Sequence, residues 1–367
     1  MKRYSLYSIA AVLLIGLVWV GCSTDQGPVA PSDDATLEAT PKPSAVAAVV
    51  AVQNRHTNAL MATSGVVGTA TGLGANGNPA VIVYTEASGV AGIPGNLDGV
   101  PVVVKVTGEI HALGALHHRP SHGGGPGGGE DPPDDPTDPT ARFDRPVPIG
   151  VSTGHPSITA GTIGCRVTDG TDVYALSNNH VYAASNAASI GDAVIQPGTA
   201  DMGSSPADDI GTLFAFQPIV FSTSANNIID AAIALSSTAE LGNSTPSNGG
   251  YGTPESTTMA ASINLKVKKY GRTTELTKGT VSAINATVNI NYGAPGVARF
   301  VNQVIISPGT FSAGGDSGSL IVVDGKGRNK NDNGKPVGLL YAGSATITIA
   351  NPIDEVLDHF GVTVDGQ

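Results

Sequence analysis

Apolar positions recur at two different periods along this chain, and the change of period divides it. Between Ser44 and Leu60 the residues Val46, Val49, Val50, Val52 and Leu60, with Met61 beyond, fall at helical spacing. Three runs rich in β-branched residues follow, at 66–71, 80–84 and 101–106. Turn clusters such as Gly74-Ala75-Asn76-Gly77-Asn78 separate them. A small α+β unit over 43–112 is expected. From Pro146 the period stays short, with apolar runs at 162–167, 173–176, 193–196, 233–235, 280–284, 303–306, 320–323 and 337–341. Many short strands punctuated by turn residues predict a mainly β, two-barrel antiparallel body over 146–367. Helical spacing returns at the end, where Ile353, Val356, Leu357 and Phe360 predict a closing helix over 352–360.

Between these two patterned regions lies a stretch, 113–145, with Gly123-Gly124-Gly125, Gly127-Gly128-Gly129 and repeated Asp-Pro steps. Glycine gives flexibility and proline gives extension, so a linker is expected. His117, His118 and His122 lie in it without an acidic or cysteine partner at ligand spacing, and are read as solvated. Residues 23–42 are rich in Pro, Ser, Thr and Asp with no apolar period, which suits a disordered tether. Ahead of them Lys2 and Arg3 precede an apolar run, 9–20, that closes on Gly21-Cys22. Residues 1–22 therefore read as an export signal, similar to that of bacterial lipoproteins, with Cys22 as the lipidation point. An exported protein, lipid-anchored to the cell envelope or else secreted, is expected.

Composition narrows the function. Glycine is abundant at 48 of 367 residues and aromatics make up 5%, which suits tight turns and strands. A net charge of -11 opposes nucleic-acid binding, because phosphates would be repelled. The second of two cysteines, Cys165, sits in a strand-like run and is expected to be a buried thiol.

Three motifs then carry chemistry. Asn179-His180-Val181 follows a strand that ends in small polar residues, Asp230 opens Asp-Ala-Ala-Ile-Ala-Leu, and Gly315-Asp316-Ser317-Gly318-Ser319 comes last. A serine hydroxyl is a weak nucleophile at neutral pH. It needs a base to take its proton and a third group to orient that base. The order His, Asp, Ser differs from that of subtilisin-like enzymes and of α/β-hydrolases. Asp209, another acid before a strand, competes with Asp230 for the orienting role.

The constellation resembles the chymotrypsin/trypsin-like serine peptidases. It is most similar to bacterial trypsin-like peptidases that lack disulfides, and also to the plant narrow-leaf-type proteases. The resemblance spans most of 146–367 and implies an exported serine endopeptidase acting through an acyl-enzyme. By that likeness His180 is general base and then acid, Asp230 orients it, and Ser317 is the nucleophile. The backbone N–H groups of Gly315 and Ser317 would form the oxyanion hole. Asp316 needs a cation if buried, and Arg272 in Gly271-Arg272-Thr273-Thr274 is the expected partner. Tyr341, Ala342 and Gly343 lie on the strand expected to pair with an extended substrate. Phe311, six residues before the nucleophile, is not acidic, so an apolar side chain before the scissile bond is expected. Two positions depart from the family pattern: Ser319 and Glu275 each stand where glycine is usual.

A peptide or protein substrate is implied, with no metal or organic cofactor and with membrane contact through the lipid anchor alone. The run Asp324 to Asp332 holds too many cations for a calcium loop and is read as a surface hairpin. A non-enzymatic binding protein on a degenerate protease scaffold is the alternative. Residues 43–112 are open to three roles: pro-domain, cleft blocker or targeting module, with scission of the linker near Arg142 or Arg145.

Overall fold

The computed structural model describes residues 41–114 and 138–367, side chains of 327–329 excepted. The signal, Cys22, nearly all of the tether and the linker histidines lie outside the described residues. Among the described residues no helix is long and apolar enough to cross a membrane.

The chain opens with helix α1 (Pro43–Met61), whose proline occupies the first turn, where no backbone N–H is needed. Strands β1 (Val66–Leu73), β2 (Pro79–Thr85), β3 (Asn96–Leu97) and β4 (Val100–Val106) follow, then the short β5 (His111–Ala112). Val49, Val52 and Leu60 of the helix bury against Val66, Val81, Val83 and Leu97.

The first β-body holds β6 (Ser152–Thr153), β7 (Gly161–Thr162), β8 (Cys165–Thr168) and β9 (Val173–Ser177). A single helical turn, α2 (Asn179–Tyr182), precedes β10 (Ala193–Ile195), β11 (Asp209–Phe216) and β12 (Ala232–Ser236). The second body holds β13 (Lys266–Gly271), β14 (Glu275–Asn291), β15 (Val297–Ser307), β16 (Leu320–Val323), β17 (Pro336–Gly343) and β18 (Thr348–Pro352). Helix α3 (Ile353–Phe360) stops at Gly361, whose φ of 65° is the left-handed conformation glycine accepts without a Cβ penalty. The last strand, β19 (Thr363–Val364), returns to β8 of the first body, so the sheet order there is β10-β11-β12-β9-β8-β19.

The second body closes on itself. Its order is β13-β16-β17-β18-β15-β14, and β13 also pairs with the start of β14. The far half of β14 is free for another neighbour, and β1 takes it, with Gly68 opposite Val288 and Gly72 opposite Ala283. The α+β segment therefore does not stand apart as expected for 43–112. Its sheet is continuous with the second body, and the described residues from 41 onward form one compact unit. Glycine at 68 and 72 suits this approach, because an added Cβ would meet Val288 Cγ1 of β14 at 2.9 Å at one and the Ser282 carbonyl of β14 at 3.0 Å at the other.

The far end of the linker is also fixed to the body. Arg142 donates to Asp208 at 2.6 and 2.9 Å, Arg145 pairs with Glu240 at 2.6 Å, and Phe143 is buried between them. Scission near Arg142 or Arg145 is thus disfavoured, since a protease must draw its target out as an extended strand.

Candidate active site

His180 sits in α2, just past the end of β9, and Asp230 lies two residues ahead of β12, which pairs with β9. That pairing brings the two together: His180 Nδ1 lies 2.6 Å from Asp230 Oδ2, and the His180 backbone N–H donates to Oδ1 at 3.2 Å. Asp230 is fully buried and His180 is 8% exposed. The competing Asp209 opens β11 and its Oδ1 is buried without a hydrogen-bond partner, away from this pair. Ala231 and Ala232, both fully buried, leave room for the imidazole-bearing turn to pack against the strand.

Three residues that sequence reasoning did not single out hold Asp230. Asn178 and Asn351 each donate a side-chain N–H to its backbone carbonyl, at 2.8 and 3.1 Å. The Tyr292 hydroxyl donates to Oδ2 at 2.9 Å, and its ring meets His180 edge-on at 5.9 Å. Burial above all, and then the Asp230 charge, push the Tyr292 hydroxyl well above its ordinary pKa, so it stays a donor. The carboxylate is thus held from two sides, and the far nitrogen, His180 Nε2, is buried with no hydrogen-bond partner.

Ser317 lies on a turn flanked by two glycines with positive φ, 98° at Gly315 and 95° at Gly318. Either would also clash with a side chain: Gly315 is backed by Arg272 and Thr273, and Gly318 by Ser177 and the Thr162 carbonyl. The turn is tied to the first body, because Thr162 N–H donates to the Ser317 carbonyl at 2.8 Å. Gly161 lies against both Val181 and that same carbonyl, which sets the serine turn beside the histidine turn. The Ser317 hydroxyl donates to the Tyr341 carbonyl at 3.2 Å.

Asp316 is fully buried, but its cation is not Arg272. Lys269 Nζ, also fully buried, lies 3.4 Å from Asp316 Oδ2. The expected segment does hold the carboxylate, through the backbone N–H groups of Thr273 and Thr274 and the Thr274 hydroxyl; Ala313 N–H completes the set. Arg272 turns the other way and forms a two-pronged pair with Asp201 of the first body at 2.7 and 2.5 Å. Strand geometry explains the correction. Asp316 packs against the backbone at Gly271, and side chains alternate in face along β13, whereas Arg272 lies in the turn beyond its end. Val267 and Lys269 share the inward face of β13, and that alternation was the missed signal for Lys269. Burial pulls the Lys269 ammonium below its ordinary pKa, and Asp316 opposes the shift.

The strand expected to pair with substrate already has a neighbour. Ala342 is paired with Ala112 and Gly343 with His111, antiparallel, as β5 runs along β17. Leu113 N–H then donates to the Tyr341 carbonyl at 3.0 Å, and Gly315 N–H donates to the Leu113 carbonyl at 2.7 Å. Leu113 packs on an apolar cluster that contains Phe311, Val281, Ile306 and Leu340. Cys165 is fully buried, and burial raises its thiol pKa, so it takes no part in the site. Among the described residues no group of three or more His, Cys, Asp or Glu side chains could hold a metal.

A family model described as the Nal1 C-terminal domain matches residues 253–351, which run from the entry to the second body through β18. No curated protein matches the chain. Solved structures do. A glutamic-acid-specific serine protease, whose title reports a histidine triad in substrate binding, is 22% identical with a TM-score of 0.42, covering 59% of this chain and 100% of its own. Thermobifida fusca protease A is 19% identical with a TM-score of 0.43, covering 60% of this chain and 99% of its own. The Cellulomonas bogoriensis chymotrypsin is 16% identical with a TM-score of 0.40, covering 61% and 100%. These are likenesses at low identity; the mainly β, two-body class rests on the sheets described above.

Proposed function

We propose that the protein is a serine endopeptidase, with His180, Asp230 and Ser317 as its catalytic residues. The observation that carries this reading is the 2.6 Å pair between His180 Nδ1 and the fully buried Asp230, with His180 Nε2 buried and left without a hydrogen-bond partner. Asp230 fixes the tautomer in which Nδ1 carries the proton and Nε2 accepts one. Nε2 takes the Ser317 proton as Oγ attacks a peptide carbonyl, and returns it to the leaving amine. The Gly315 N–H, which here donates to the Leu113 carbonyl at 2.7 Å, stabilises the oxyanion, and Ser317 N–H is the second donor assigned to it. Asn178, Asn351 and Tyr292 position the aspartate.

A specific observation favours the binding-scaffold alternative: the Ser317 hydroxyl is bonded to the Tyr341 carbonyl and not to His180. In apo enzymes catalytic hydrogen bonds are often loose and tighten with substrate, so a rotation of Oγ separates the two readings. One experiment decides between them: fluorophosphonate labelling of the purified chain beside Ser317→Ala and Asp230→Asn. Labelling lost in Ser317→Ala, with peptide hydrolysis about 10⁴-fold slower in Asp230→Asn, supports the protease. Hydrolysis unaffected by either substitution sinks it.

A further inference from the structure

We propose that the Leu113–Gly114 peptide bond is the chain's own cleavage site, and that His111-Ala112-Leu113 occupies the cleft as the residues before that bond. The inference rests on the protease reading above. Four observations place the segment as substrate. It runs antiparallel to β17, with Ala112 opposite Ala342 and His111 opposite Gly343. Leu113 N–H and the Ser317 hydroxyl converge on one acceptor, the Tyr341 carbonyl, at 3.0 and 3.2 Å, so the nucleophile lies beside the Leu113 amide. The Leu113 carbonyl accepts from Gly315 N–H at 2.7 Å, the donor assigned to the developing oxyanion. The leucine side chain packs on the apolar cluster that includes Phe311, and its Cδ1 lies 3.1 Å from where a Cβ on Gly343 would stand.

A structural strand filling a groove needs only the first of these. The convergence of the Leu113 carbonyl on Gly315 and of its amide on Tyr341 sets one bond, and no other, at the nucleophile. Glycine follows it, which leaves the leaving-group side unobstructed. The fold also delivers the segment there. Ile110 is buried in the core shared by both sheets, and its carbonyl accepts from Asn291 N–H at 2.8 Å, so residues 111–113 enter the cleft from a fixed point. Upstream, β1 remains hydrogen-bonded to β14.

The chemistry balances as hydrolysis. Ser317 Oγ adds to the Leu113 carbonyl carbon while His180 takes its proton. The bond from Leu113 to the Gly114 nitrogen breaks, and that amine leaves with the proton from His180. Water, giving a proton to His180, then adds to the acyl carbon; the bond to Oγ breaks, His180 returns the proton to Ser317, and the Leu113 carboxyl is freed. The new carboxylate ends in the oxyanion site with β5 still paired to β17, so the product blocks the cleft until it is displaced. The same contacts assign leucine-sized apolar residues as the side chain preferred before the scissile bond in other substrates.

The full chain, purified and incubated at neutral pH, tests this by intact mass and N-terminal sequencing, with fluorophosphonate labelling in parallel. A fragment beginning at Gly114 is expected in the wild type and absent from Ser317→Ala, with both chains eluting alike under native conditions. Leu113→Asp, which would bury a carboxylate in the apolar pocket, should slow its appearance by about 100-fold or more while leaving Ser317 open to the probe. Scission at Gly114 that persists in Ser317→Ala overturns the proposal. So does a wild-type chain that is labelled on Ser317 yet stays intact at Leu113–Gly114, and in that case the protease reading stands. A wild type and a Leu113→Asp variant that are neither labelled nor cut bring down both.

Discussion

With Lys269 and Asp316 both at zero exposure, neither has water to turn to if the other is removed. Breaking a buried pair from one side strands a charge, at a cost of about 3–5 kcal/mol. Lys269→Met should therefore lower stability by about 3 kcal/mol or somewhat less, since Asp316 keeps four hydrogen bonds from Thr273, Thr274 and Ala313. Urea unfolding measures it, and a loss under about 0.5 kcal/mol would show that those four suffice. Arg272→Ala acts elsewhere. It removes one of the ties between the two bodies and leaves Asp201 to the Ser152 hydroxyl. A different pair reports on acid. The hydrogen bond from Arg142, above all, holds the Asp208 carboxyl below its ordinary pKa. A carboxyl with a depressed folded pKa adds stability above its unfolded value of about 3.9 and loses it as pH falls through the folded one. Asp208→Asn should be less stable than wild type at pH 7, and the gap should close as the pH drops below about 4. A gap that stays constant from neutral pH down into that acid range would reject the account.

Among the elements, β14 does more than its sequence advertises. The apolar run at 280–284 marked only part of a strand that spans Glu275–Asn291. Its register shifts between Val281 and Ala283, again by Ala286, and once more by Val288, and across the middle shift the buried face passes from Val281 and Ala283 to Ala286, Val288 and Ile290, which breaks a period-2 pattern. Asn285, with a φ of 55°, sits in the middle of the irregular stretch, and asparagine tolerates that conformation better than most residues. The proposed triad was legible because each member carries its own local context. Lys269, Asp201, Tyr292 and Leu113 were not, because each is set in place by a partner distant in sequence. The bend in β14 is held from α1. Gln53, fully buried, donates to the Asn285 carbonyl at 2.8 Å and accepts from Thr71 at 2.7 Å and from the Asn285 amide at 3.1 Å. Gln53→Ala leaves the Asn285 carbonyl and the Thr71 hydroxyl without that partner inside the sheet, at about 1–3 kcal/mol for each that water cannot reach, while the Asn285 amide keeps Asn54. The expected result is a loss of about 2–4 kcal/mol in urea unfolding together with faster amide exchange in β1 and the second half of β14. Unchanged exchange there would show that strand pairing alone fixes the bend.

Across the whole molecule, one core belongs to both ends of the chain. Val67, Ala70, Ala80, Ile82, Tyr84 and Ile110 pack against Ala283, Ala286, Val288, Phe300, Ile305 and Tyr341. Burying the larger of the N-terminal side chains is worth about 1.5–3 kcal/mol each, so four of them supply roughly 6–12 kcal/mol. A domain of ordinary stability has about 5–15 kcal/mol in total. The N-terminal segment is thus as necessary to the second body as that body's own strands, and a cut at Leu113 would divide the chain without dividing the fold. Residues 146–367 produced alone should show no cooperative thermal transition and should expose apolar surface along β14. Supplying residues 43–113 as a separate chain should restore the transition and co-elution of the two pieces. A cooperative, soluble 146–367 fragment would mean that the N-terminal sheet is an accessory, and that the cleft can be cleared by losing it.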